Sequence, residues 1–214
     1  MSVAAVVVAG GQGVRFGGPK QFATIGDESV AERSVRVSRS VASRVVLVVP
    51  ASYAGNGEGA DVVVTGGKSR AESVRAGLGE CADADVVVVH DAARPLASTA
   101  LFHAVVDAVD AGADAAVPGL PITDTVKRVR TDETQIVVVH SVPRRDLMTV
   151  QTPQAFKREV LVRAHELTLD ATDDASLVEA LGGRVVVVAG EMENIKITQP
   201  GDLQRVASFM RSAQ

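Results

Sequence analysis

Along the chain, short unbroken apolar runs alternate with stretches in which apolar residues recur every three or four positions. The runs are VAAVVV (3–8), RVVLVV (44–49), DVVV (61–64), DVVVV (85–89), DAAVP (114–118) and RVVVV (184–188). Continuous β-branched runs without polar alternation predict strands buried on both faces, as in parallel sheets. The helically spaced stretches cover 29–42, 70–80, 98–111, 157–169, 175–182 and 201–212. Strand and helix therefore take turns. That order predicts an α/β protein with a Rossmann-like, open, mostly parallel twisted sheet and helices on both faces. Ligands of such sheets sit beyond the carboxyl ends of the strands, which directs attention to loops 9–20, 50–60, 65–69, 90–95 and 118–127.

One stretch breaks the alternation. DTVKRVRTDETQIVVVHSVPR (124–144) holds two β-like runs, 125–130 and 136–142, separated by polar TDETQ. It reads as an inserted β-hairpin arm spanning about 122–147 within one domain that covers 1–214. An isolated strand pair is marginal in water, so the arm needs a cover. A second copy of the same arm supplies one, which predicts a homodimer.

Composition narrows the picture. Hydrophobic residues make up 46% of the chain and aromatics 3%, so the core must be built from Val, Ala and Leu. A formal net charge of -4 argues against a nucleic-acid partner, which calls for a basic face and often stacking aromatics. Cys81 is the sole cysteine, so no intrachain disulfide can form and a reducing compartment fits. The apolar amino terminus is short and lacks a basic leader region, so a signal peptide is not expected. No apolar run approaches the roughly 18 residues of a membrane span. A cytoplasmic protein is expected.

Candidate chemistry begins at VVVAGGQGVRFGGPKQ (6–21). A glycine-rich loop after a strand commonly holds phosphate through its backbone N–H groups. Two familiar templates fail here. A Walker A loop counted from Gly13 reaches Gly18, but Pro19 stands where Lys is required. The dinucleotide fingerprint finds Gly11 and Gly13 but meets Phe16 at its third glycine, and the second strand ends in Val49-Pro50 with no acidic residue for a ribose. What remains is a loop of donors carrying two cations, Arg15 and Lys20, a combination suited to stabilising charge as it develops at phosphorus. A solvated loop cation and an ordinary tight turn are the plainer readings of Arg15 and of the glycines.

VVVVHDAARP (86–95) supplies the second signal. Asp91, at the end of a buried strand, is placed to hold Mg²⁺ bridging triphosphate oxygens, or else serves as a cap or turn residue. Arg94 either reaches a phosphate or braces the loop, and His90 reads as a packed histidine. SRAE (69–72) reads as a capping box for the helix beginning near 70. Arg70 reaches phosphates from that helix's first turn or lies on the surface. In TDDAS (172–176), Asp173 and Asp174 read as helix caps rather than catalysts. Among 22 basic residues only 20, 68, 127, 157 and 196 are lysine. Lys20, Lys127 and Lys196 are among those inside candidate motifs, where a compact point charge is not interchangeable with the planar fork of Arg.

Taken together, AGGQGVRFGGPKQ, GGKSRAESV, HDAARP, DTVKR, TPQAF, TDDAS and ENIKIT resemble, in order and over nearly the whole chain, the family of 2-C-methyl-D-erythritol 4-phosphate cytidylyltransferases of non-mevalonate isoprenoid biosynthesis. HDAARP with NIKIT is the specific part of the match, whereas the glycine loop is shared with many nucleotidyltransferases. The resemblance implies a Mg²⁺-dependent nucleotidyltransferase that joins CTP to the sugar phosphate and releases pyrophosphate. It implies that Arg15, Lys20 and Lys196 stabilise the α-phosphorus and that Asp91 ligates the metal, with Glu193 a weaker candidate. It implies that Gly67 and Ser73 face cytosine, and that Ala9, Gly10, Asp91 and Ala92 line the ribose beside Gly11, Gly13 and Arg70. On the acceptor side, Thr125, Lys127 and Arg144 of the arm would hold the methylerythritol phosphate across a dimer interface, with Thr172 and Arg94 on the same substrate. The chain departs from the pattern at Gly10, where Ala is common, at Lys68, where an acidic residue is frequent, and at Glu193, where Asp is usual. Other readings remain: a cytidylyltransferase for another alditol phosphate such as ribitol 5-phosphate, a non-catalytic nucleotide-binding protein, and a dinucleotide-dependent oxidoreductase.

Overall fold

A computed structural model of the chain describes residues 1–11, 13, 15–167 and 173–212. Strand β1 (Val3–Val8) runs into the glycine loop, which closes on a 3-10 turn (Lys20–Phe22) and a small hairpin of β2 (Thr24–Ile25) and β3 (Glu28–Ser29). Helix α1 (Val30–Ser38) starts on a complete capping box, in which the Ser29 hydroxyl accepts from the Glu32 N–H and the Glu32 carboxylate accepts from the Ser29 N–H. Then come β4 (Arg44–Val49), β5 (Val62–Thr65), α2 (Arg70–Leu78), β6 (Val86–Asp91), α3 (Thr99–Asp110) and β7 (Ala115–Pro121). The arm is β8 (Val126–Asp132) and β9 (Gln135–Val142), after which β10 (Met148–Val150) and β11 (Gln154–Lys157) return the chain to the sheet. Helices α4 (Arg158–Glu166) and α5 (Asp174–Ala180), strand β12 (Val185–Ala189) and helix α6 (Pro200–Ser212) complete it.

The main sheet is open and has eight strands. β5, β4, β1 and β6 lie side by side in parallel. β11 then runs antiparallel between β6 and β7, and β12 lies parallel to β7 on the other edge of that strand. β10 pairs antiparallel with the end of β7. The expected mostly parallel sheet is therefore present, with an antiparallel return that the apolar pattern does not reveal. QAFK has neither alternation nor a β-branched run. Its strand character comes from two waiting edges, because Gln154 pairs with Val89 while Ala155 pairs with both Val88 and Ala116.

Because both faces of the sheet are covered, alternate residues of one apolar strand enter different cores. Val3, Ala5, Val7 and Ala9 pack with Val35 of α1 and with Leu101, Phe102 and Val105 of α3. Ala4 and Val6 pack with Val74 of α2, Leu161 and Ala164 of α4, and Leu177 of α5. Each fully buried valine contributes roughly 1.5–3 kcal/mol, so an unbroken run of small branched residues is the economical composition for β1. A third cluster of Ile25, Val30, Ile197 and Val206 fastens α6 beneath the segment that carries Lys196. The chain leaves β1 toward β4 on one side, while β6 flanks it on the other. Such a point opens a crevice at the carboxyl ends of the two strands.

Candidate active site

The first loop is shaped by its own backbone. The N–H groups of Phe16 and Gly17 donate to the Gly13 carbonyl at 2.9 and 3.0 Å, and Lys20 N–H donates to the Gly18 carbonyl at 2.8 Å. Gly13 has φ +64°, and a Cβ there would stand 1.8 Å from the Gly18 oxygen, so only glycine fits. The buried Gln21 amide ties the loop's exit to its entrance, donating to the carbonyls of Ala9 (2.6 Å) and Gly11 (2.9 Å). Gln21 was visible as the last letter of PKQ, but the bonds it makes depend on how the loop folds back.

That loop forms one wall of a cleft of about 530 Å³. Ala9, Gly10, Gly11, Gly13, Arg15 and Lys20 line it from one side, and Gly67, Lys68, Ser69, Arg70 and Ser73 line it from the turn between β5 and α2. Asp91 closes the floor, and Lys196 and Thr198 enter from the segment before α6. Ala92 is an exception among the expected ribose neighbours. It is buried, donating its N–H to Val8 and accepting from the Ser34 hydroxyl, and Ala93 lines the cleft instead. The capping box at α2 is half formed. Ser69 accepts from the Glu72 N–H, but the Glu72 carboxylate turns outward and accepts from Lys68 N–H at 2.6 Å, which fixes the backbone of Gly67 and Lys68 along the cleft.

The cations converge. Burial and then the nearness of Lys196 and Arg15 hold the Lys20 ammonium below its ordinary pKa, against the pull of Asp91 and Asp202. Two cations of the first loop and one from the segment before α6 thus share one field, which the nearby carboxylates of Asp91 and Asp202 offset only in part. An anion entering the cleft relieves that repulsion.

Asp91 lies at the centre of a chain of charges. One carboxylate oxygen accepts from Lys196 Nζ at 2.6 Å, and the other faces Arg70 Nε at 3.4 Å. Burial by itself would raise the Asp91 pKa, but Arg70, Lys196 and Arg94 outweigh it and hold the carboxyl well below the usual range. Arg70 reaches further, to Asp174 at 2.6 Å, and Asp174 meets His165 Nε2 at 2.9 Å. The guanidinium stays protonated despite burial because Asp174 and Asp91 favour its charge. Asp173 caps α5 through the Ser176 N–H as expected. Asp174 does not act as a cap; it is buried and ion-paired. Its partners come from α2 and α4, which the spacing of TDDAS cannot disclose.

Behind this line of charges lies a second cavity of about 220 Å³, sharing Arg70, Asp91 and Lys196 with the first and adding Arg94, Val150, Gln151, Thr152, Gln154 and Asp173. Arg94 lines it while bracing the neighbouring segment, donating to the Asn194 carbonyl at 2.7 Å. The Thr152 hydroxyl accepts from Asp91 N–H at 3.0 Å and touches His90 Nδ1 at 3.2 Å. Burial lowers the His90 pKa to about 4, so the ring is neutral. Thr152 and Gln154 belong to TPQAF, a stretch whose place in the resemblance carried no assigned role.

For a divalent cation the donor set is sparse. Asp91 is the carboxylate in the cleft, Glu193 is exposed and lines neither cavity, and among the described residues no three His, Cys, Asp or Glu side chains cluster. One carboxylate fits a hard ion that arrives on phosphate oxygens and keeps several waters. It does not fit a pre-formed metal cage.

The arm residues stand apart. Thr125, Lys127 and Arg144 are exposed and line neither cavity. Lys127 donates to the Ser141 hydroxyl at 2.6 Å and Arg144 to the Thr123 carbonyl. β8 and β9 pair only with each other among the described strands. Their register sets Val129 opposite Val138, and these two, with Ile136 and Val139, are exposed. Thr172 lies outside the described residues.

A family model described as IspD: 2-C-methyl-D-erythritol 4-phosphate cytidylyltransferase matches residues 3–212. A 2-C-methyl-D-erythritol 4-phosphate cytidylyltransferase from Streptomyces avermitilis is 45% identical, with 94% of this chain and 88% of that protein covered. The chain also matches a bifunctional enzyme IspD/IspF from an Anaeromyxobacter species at 42% identity, spanning 58% of that longer protein. A crystal structure of the cytidylyltransferase from Thermus thermophilus superposes with a TM-score of 0.84 at 35% identity, covering 99% of this chain and 100% of that one.

Proposed function

The chain belongs to the 2-C-methyl-D-erythritol 4-phosphate cytidylyltransferase family, and from that premise we propose that it transfers CMP from CTP to 2-C-methyl-D-erythritol 4-phosphate in isoprenoid precursor biosynthesis. The products are 4-diphosphocytidyl-2-C-methyl-D-erythritol and pyrophosphate. An oxygen of the sugar phosphate forms the new bond to the α-phosphorus as the bond to the pyrophosphate oxygen breaks. No proton needs to be removed, because the attacking phosphate is already an anion at neutral pH. The barrier is the approach of one anion to another, and placed cations lower it most where charge accumulates.

The observation that carries this reading is the convergence of Arg15, Lys20 and Lys196 on one cleft beside a single carboxylate. The glycine loop binds the triphosphate through backbone donors, while Gly67 and Ser73 wall the base and Gly10 lies along the ribose. The second cavity takes the sugar phosphate, against Arg94, Thr152 and Gln154. Mg²⁺ bound at Asp91 with the triphosphate would neutralise oxygens as pyrophosphate departs. The arm packs on that of a second copy, covering Ile136 and its neighbours, and there Thr125, Lys127 and Arg144 complete the acceptor site of the other subunit. The setting is the cytoplasm, consistent with an unpaired, buried Cys81.

The test is pyrophosphate release from CTP and Mg²⁺ with either 2-C-methyl-D-erythritol 4-phosphate or ribitol 5-phosphate. Turnover with the first and little with the second is expected. Lys20→Ala should lower kcat by roughly 10²–10³-fold and leave the KM for CTP within a fewfold, as befits a contact made mainly in the transition state. Nucleotide binding without product would refute the reading.

A further inference from the structure

We propose that Asp174, braced by His165, is a positioning residue that holds the Arg70 guanidinium as the partition between the two cavities. The inference rests on the reading that these cavities take CTP and the acceptor phosphate. Arg70 opens α2 and lines both cavities. Its Nε contact with Asp91 is long, at 3.4 Å, whereas its terminal nitrogen lies 2.6 Å from Asp174. Asp91 is a poor anchor on its own, since Lys196 already occupies its other oxygen and a metal would compete for both. Asp174 faces no such competition. It is 1% exposed, lines neither cavity, and has its second oxygen engaged by His165 Nε2 at 2.9 Å. A buried carboxylate with two donors is a rigid support. It leaves Arg70 fixed when ligands take Asp91, in the position from which it borders both cavities. The triad spans α2, α4 and α5, so the partition is held by the body of the protein rather than by a loop.

The experiment is a double-mutant cycle on Asp174→Asn and Arg70→Lys, read by kcat, by the KM of each substrate and by CTP titration calorimetry for the fraction of competent sites. Asp174→Asn alone should lower kcat per competent site by roughly 10- to 100-fold, the scale of a small misplacement of a charged group. In the Arg70→Lys background the same change should cost less than about threefold, because its effect passes through the guanidinium. His165→Gln, which keeps a donor for Asp174, should recover most of the wild-type rate. Losses that multiply independently, or a loss confined to the competent fraction or the melting temperature, would overturn the positioning role and leave the functional reading intact. Absence of turnover by the unmodified chain would overturn that reading and this inference with it.

Discussion

Gly13→Ala tests whether the conformation of the first loop, rather than its composition, makes the site. A methyl group at residue 13 would begin 1.8 Å from the Gly18 carbonyl oxygen, where real contacts stay beyond 3.0 Å. Some part of the loop must therefore move by at least 1.2 Å, the difference of those two distances. The Gly18 carbonyl is also the acceptor for the Lys20 N–H, so the displacement is handed directly to a residue proposed to meet the α-phosphorus. The left-handed backbone adds roughly 1–2 kcal/mol for any residue with a Cβ. At about 2–4 °C per kcal/mol for a chain of this size, the melting temperature should fall by only a few degrees, since Gly13 itself belongs to none of the three cores. Turnover should respond far more strongly, by on the order of 100-fold for a misplacement near 1 Å. Steady-state kinetics, CTP titration calorimetry and thermal melts together read this out. Gly18→Ala, at the other end of the contact, meets nothing within 4 Å and should behave almost as wild type. If Gly13→Ala kept its turnover within about twofold, the steric reasoning and the loop's part in catalysis would both be wrong.

Two further outcomes follow from the geometry. Ile136 is 71% exposed on an arm that pairs with no other strand among the described residues, so Ile136→Asp should leave the melting temperature of an isolated subunit unchanged and shift sedimentation from dimer to monomer. A wild-type chain that sediments as a monomer would refute the arm's proposed role. His90 takes up a proton in the folded state only near pH 4, whereas the unfolded imidazole does so near 6.5. The unfolded chain therefore binds the extra proton between those values, and stability should fall as pH drops from about 6.5 toward 4, by on the order of 3 kcal/mol. His90→Gln should remove that part of the slope in urea unfolding compared at pH 7 and pH 4.5. Parallel slopes for the two proteins would show that the ring is not held neutral.

Much of the architecture was legible because it is written in local periodicity. The six apolar runs became β1, β4, β5, β6, β7 and β12, and the helical stretches became six helices with ends shifted by a few residues. The glycine loop, Lys20 and Asp91 were legible because their chemistry depends on residue type next to a strand end. The return strands β10 and β11 were not, because QAFK becomes a strand only when β6 and β7 offer it their edges. Gln21, Thr152 and Asn194 stayed hidden for a related reason. Their amides and hydroxyls complete hydrogen bonds whose other halves lie 10 to 62 residues away.

Asp174 marks the boundary between the two kinds of information. The letters TDDAS are enough to place an acidic pair at the start of a helix, since capping is settled within one turn. Tertiary structure alone decided that one of the pair caps α5 while the other turns inward to Arg70 and His165. Choosing between water and a buried counter-charge depends on which helices arrive beside it, and burial makes that choice binding: a carboxylate removed from water must find cations or donors, and only the assembled fold supplies them.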